Sequence, residues 1–89
     1  MNAERFEWEL EKVRRSGLEF ESYPNTYLIN VTDTDGVVQS FYTSTGTAVF
    51  RDGNNKYRSQ RHTERNMKLE RFISLCKGEE DILETFFGG

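Results

Sequence analysis

The chain has 89 residues with 35% hydrophobic and 13% aromatic side chains, a formal net charge of −3 at pH 7 and a pI near 5.2. That length holds one domain around one core, over residues 1–89, and the apolar content separates the chain from a disordered polar segment of similar charge density. A single cysteine, Cys76, excludes an internal disulfide, and one Cys with one His cannot make a zinc site of the usual ligands.

The opening MNAERFEWELEK carries charges throughout and has no continuous apolar run. Neither a signal peptide nor a membrane anchor is expected, so the location is read as cytoplasmic, with no membrane partner. Ala3, Phe6, Leu10 and Val13 recur at helical spacing, and Gly17 stands where a C-cap glycine would. This predicts a first helix of about four turns. Trp8 falls on the other side of that helix, among Glu4, Glu11, Lys12 and Arg15. It either folds onto Lys12 or Arg15 as a cation-π pair, is covered by a C-terminal aromatic, or serves with Arg15 as an anchor for a protein partner.

From Leu18 the period changes to two, with Leu18 and Phe20 alternating with Glu19 and Glu21. A short edge strand is predicted there, ended by SYPN. TYLINVTD and VVQSFYT are β-rich runs around Asp35-Gly36, a signal for a tight two-residue hairpin. That turn would pair Asp33 with Val38, Val31 with Ser40 and Ile29 with Tyr42, with Val49 beside them through a turn at Thr45-Gly46. On this reading those residues form the core face. TAVFR is the third strand of an antiparallel meander and KYRSQ a fourth. The opposite face then carries Phe41, Phe50 and Tyr57 in a row. Either the C-terminal helices cover Phe41 and Phe50, or the row is an exposed platform for a protein partner or a second copy of the chain.

HTERN reads as a turn. After it, Leu69, Phe72, Ile73 and Cys76 repeat at helical spacing, with Asn66 as N-cap and Gly78 as stop. Glu79, Glu80 and Asp81 favour the start of a last short helix carrying Ile82, Leu83, Phe86 and Phe87. The expected fold is α+β: an N-terminal helix, a three- to four-stranded antiparallel β-meander and one or two C-terminal helices.

Chemistry is sparse. His62 lies in a charged stretch and Cys76 on an apolar helical stripe, so a nucleophile and base are not expected to meet. TDTDG opens like a calcium loop but lacks the later ligands and the bidentate Glu, and no Gly-rich phosphate loop occurs. No catalytic, metal or cofactor-binding residue is assigned, and the chain is read as a binding protein rather than an enzyme. Charge is segregated: acids lead bases eight to four from Met1 to Gly36, whereas bases lead seven to three from Arg51 to Arg71. Lys56, Tyr57, Arg58, Arg61 and Arg65 could neutralise phosphates and stack on bases, which makes single-stranded nucleic acid a possible partner; a solvated loop and helix face is the plainer reading.

In its layout, a short helix, a β-meander and acidic terminal helices without catalytic residues, the chain resembles small accessory proteins of phages and prophages, including anti-CRISPR and other host-takeover inhibitors. The resemblance implies a stoichiometric inhibitor that binds a host protein in the host cytoplasm. The competing readings are a nucleic-acid-binding domain on the basic stretch and a structural homodimerisation module on the aromatic sheet face.

Overall fold

A computed structural model describes residues 1–53 and 60–88. Helix α1 (Ala3–Arg15) starts at Asn2, whose side chain accepts a hydrogen bond from the Arg5 amide at 2.8 Å. This satisfies one of the first-turn donors that have no helical acceptor. Lys12, Arg14 and Arg15 in the last turn complement the negative end of the helix dipole. The helix ends at Gly17, whose φ of 81° a side chain would resist. Phe6, Leu10 and Val13 are buried, as their spacing predicts.

Among the described residues five strands follow in an antiparallel meander whose spatial order is the chain order: β1 (Phe20–Tyr23), β2 (Leu28–Thr32), β3 (Val38–Tyr42), β4 (Thr47–Arg51) and β5 (Arg61–Glu64). The sheet thus has one strand more than the three to four expected. β5 lies within HTERN and the residue before it, where a turn was predicted. It pairs His62 with Phe50 and Glu64 with Ala48, and the aromatic rings that cover His62 come from the C-terminus. KYRSQ, the predicted fourth strand, lies outside the described residues except for Gln60.

The β2–β3 register differs by one residue from the expected one. Val31 lies opposite Gln39, Ile29 opposite Phe41 and Leu28 opposite Tyr42. The reason is the carboxylate of Asp33, whose Oδ1 accepts hydrogen bonds from the amides of Asp35 and Val37, both at 2.9 Å. With the Asp33 amide donating to the Val37 carbonyl at 2.8 Å, the connection closes over Asp33–Val37 rather than at Asp35-Gly36 alone. A one-residue shift moves a strand's whole side-chain set to the other face. Ile29 and Val31 therefore keep their inward direction, while Phe41, Ala48 and Phe50 turn inward and Val38, Tyr42 and Val49 turn outward. At the next turn Gly46 has φ of 69°, and a Cβ there would meet the Met67 carbonyl oxygen at 3.0 Å. The Met67 amide donates to the Gly46 carbonyl at 2.9 Å, so glycine permits this approach.

Helices α2 (Leu69–Cys76) and α3 (Ile82–Phe86) share with α1 the face carrying Phe41 and Phe50. Asn66 is not the N-cap of α2. Lys68 holds that position, and Asn66 takes a left-handed φ of 57° in the break before it. Phe72 lies 5.0 Å from Phe41 and 5.7 Å from Phe50 between ring centroids, and Phe86 stacks on Phe50 at 4.6 Å. Gln39 is a fully buried polar residue on this face. Its Nε2 donates to Asp33 Oδ2 at 3.1 Å and to the Arg51 carbonyl at 3.0 Å, and its Oε1 accepts from the Arg51 amide at 2.6 Å. The Thr34 amide donates to the Cys76 carbonyl at 3.0 Å, tying the hairpin turn to the end of α2.

Candidate functional site

Phe41 and Phe50 are 2% and 0% exposed, so neither can form an outer aromatic platform; both are core residues under α2 and α3. The structure does not bring them together with Trp8 or Arg15. Those two stand on the far side of α1, separated by about two helical turns and therefore on one face.

Trp8 is 59% exposed, the highest value among the large hydrophobic side chains of the described residues. Lys12, one turn later, places its Nζ 4.0 Å from the centroid of the Trp8 ring. The same ammonium lies 2.6 Å from Glu70 Oε1 on α2, and this hydrogen bond is the main reason the Glu70 carboxyl sits below its ordinary range. Lys12 thus fixes Trp8 from one side without hiding it. A shallow depression lined by Asn2, Glu4, Arg5 and Trp8 opens beside the ring. Arg15 is exposed and reaches Glu11 at 3.6 Å, while Arg14 pairs with Glu11 at 2.6 Å. No C-terminal aromatic covers Trp8, because Phe86 and Phe87 pack instead against His62, at 4.7 and 6.4 Å.

The second surface is the outer face of the sheet, which depended on the register and was not legible in the sequence. Tyr23 and Val38 are each 42% exposed there. Ser40 Oγ donates to Asn30 Oδ1 at 2.7 Å. Arg51 Nη1 donates to the Val38 carbonyl at 2.9 Å and to Ser40 Oγ at 3.1 Å, which lays the guanidinium along the sheet. Arg61 is the cross-strand partner of Arg51. Burial first, and the Arg61 charge second, lower the Arg51 pKa, though an arginine so placed stays charged. At the other edge the Tyr23 hydroxyl donates to Glu21 Oε2 at 2.7 Å, which raises the Tyr23 pKa. A cleft of about 530 Å³ runs beside β1, lined by Leu18, Glu19, Phe20, Glu21, Asn30, Thr32 and Val38.

Of the basic stretch, Lys56, Tyr57 and Arg58 lie outside the described residues. Arg61 and Arg65 are exposed. His62 turns inward, stacked on Phe86, with Nε2 2.7 Å from Glu64 Oε2. Cys76, the last residue of α2, is buried on its inward face, and burial, with Asp33 second, pushes its thiol pKa up to about 12. The TDTDG segment spends both Asp33 carboxylate oxygens within the fold, on two amides and Gln39. Among the described residues no helix is long and apolar enough to cross a membrane.

No family model matches the chain, and no curated protein or solved structure matches it.

Proposed function

We propose that the chain is a non-catalytic protein-binding module whose contact surface is the Trp8 face of α1. The exposure of Trp8 carries this reading. The helix buries Phe6, Leu10 and Val13 without it, so the ring does nothing for the core while presenting a large apolar area to solvent. Tryptophan is among the residues most enriched where binding energy concentrates, and a side chain already held by Lys12 loses less freedom on binding. Glu4, Arg5, Glu11 and Arg15 around it would form the polar rim of such an interface. With the layout shared with phage accessory proteins, the partner proposed is a host protein, bound stoichiometrically.

The experiment begins with the free protein. Trp8 emission should be red-shifted and open to iodide quenching, and Trp8→Ala should change stability by no more than about 0.5 kcal/mol. Wild-type protein and Trp8→Ala should then be used as baits in host lysate. A partner retained by the first and weakened at least about twentyfold by the second is expected, corresponding to roughly 2 kcal/mol. A blue-shifted, shielded Trp8 in a confirmed monomer would refute the reading.

A further inference from the structure

The outer sheet face is graded in charge across its width. Glu19 and Glu21 stand at the β1 edge, Asn30, Ser40 and Thr32 lie in the middle with Val38, and Arg51 and Arg61 stand at the β4–β5 edge. Arg51 and Arg61 are like charges directly opposite one another, an arrangement that is unfavourable unless something outside relieves it. Neither Glu19 nor Arg61 has an ion-pair partner among the described residues.

A second copy turned by 180° about an axis parallel to the strands presents the mirror order, so that β1 of each copy lies over β5 of the other and β3 over β3. Glu19 of one copy then meets Arg61 of the other, twice by symmetry. Val38 meets Val38 and Tyr42 meets Tyr42 near the axis. The cleft beside β1, with carboxylates at its rim and Val38 in its wall, lies where the incoming guanidinium arrives. We infer that the chain forms a symmetric face-to-face homodimer through the outer face of its sheet, held by reciprocal Glu19–Arg61 pairs. This surface is separate from the Trp8 face, and the inference does not depend on the proposed function.

The size of the face sets the strength. Five strands about 4.8 Å apart and five residues long give a face of roughly 24 by 16 Å. Interfaces of this small class are weak and transient, so association in the micromolar range is expected. Sedimentation velocity on the full chain at low salt, from about 1 to about 500 μM, should show a monomer–dimer equilibrium that shifts toward monomer in high salt.

Glu19→Arg and Arg61→Glu should each weaken the dimer about tenfold or more, since each sets like charges face to face twice. Both sites are exposed, so the far-UV spectra should not change. The double variant should recover the dimer, and so should an equimolar mixture of the two single variants, because in a mixed dimer both reciprocal pairs become attractive again. A monomer throughout the concentration range would overturn the inference. So would a dimer indifferent to both charge reversals, or one lost on Trp8→Ala, which would place the contact on α1. The same would follow from a monomer that retains single-stranded oligonucleotide through Arg61, which would assign the basic edge to nucleic acid.

Discussion

Asp33→Ala removes the acceptor that sets the length of the β2–β3 turn. The carboxylate takes hydrogen bonds from the Asp35 and Val37 amides at 2.9 Å each and from Gln39 Nε2 at 3.1 Å, the last of these in the interior. The two turn amides can partly regain water, at a net cost of about 0.5–1 kcal/mol each, whereas the buried amide of Gln39 loses a charged acceptor worth about 1.5 kcal/mol. The total is about 2.5–3.5 kcal/mol, a large share of the roughly 4–13 kcal/mol available to a chain of this size. A domain of 60–100 residues loses about 4–8 °C per kcal/mol, so a Tm drop of roughly 10–28 °C is expected. Urea and thermal melts followed by far-UV circular dichroism measure it. Asp33→Asn keeps an oxygen for the two turn amides but turns an NH2 group toward Gln39 Nε2, so it should fall between. A change under about 0.5 kcal/mol for Asp33→Ala would refute the view that this carboxylate selects the register. Amide-to-amide contacts between β2 and β3 in nuclear magnetic resonance spectra would then be expected to show the Asp35-Gly36 hairpin instead.

Phe72 is fully buried between Phe41 and Phe50, so Phe72→Ala should cost about 3–5 kcal/mol by denaturant melts. Its loss without effect would contradict the placement of α2 on this face. The Cys76 thiol, with its pKa pushed up to about 12, should stay silent toward a thiol reagent at pH 8 in the folded protein and react at once in denaturant. Rapid labelling of the native chain would show that Cys76 is not sealed in the core.

What was legible in the sequence follows from how locally each feature is determined. The stripes Phe6–Leu10–Val13 and Leu69–Phe72–Cys76 located two helices, because helical period and burial depend on one element and one core. The surplus position of Trp8 could be read by the same angle. The β2–β3 register could not, because Asp35-Gly36 carries a real hairpin signal and only the side chain of Asp33 overrides it. From that single residue the assignment of β3 and β4 to faces reversed, which hid the outer charge gradient and left Phe41 and Phe50 open to two readings, of which cover by the C-terminal helices is the one the structure shows. β5 escaped for another reason: its inward residues, His62 and Glu64, are polar, and the ring that stacks on His62 is Phe86 of α3, more than twenty positions away. The buried Gln39 had no local signal at all, since its three partners are set by Asp33 and Arg51 across the sheet.

The two surfaces lie on opposite sides of the core. α1 packs its Phe6–Leu10–Val13 stripe toward the sheet, which turns Trp8 away from it, while Val38 and Arg61 project from the sheet's far face. A dimer formed through the sheet would therefore leave both Trp8 rings free and directed outward in opposite senses. Two consequences separate the readings. Trp8→Ala should weaken partner binding at least about twentyfold without moving the sedimentation profile, and Arg61→Glu should shift sedimentation without altering Trp8 emission or quenching. If the partner offers two binding sites within reach, even a micromolar dimer would raise the apparent affinity well above that of one Trp8 face, because the second contact forms at the effective concentration of a tethered site. Arg61→Glu would then weaken binding to such a partner only while the partner is itself bivalent, and a monovalent fragment of it would bind both proteins alike.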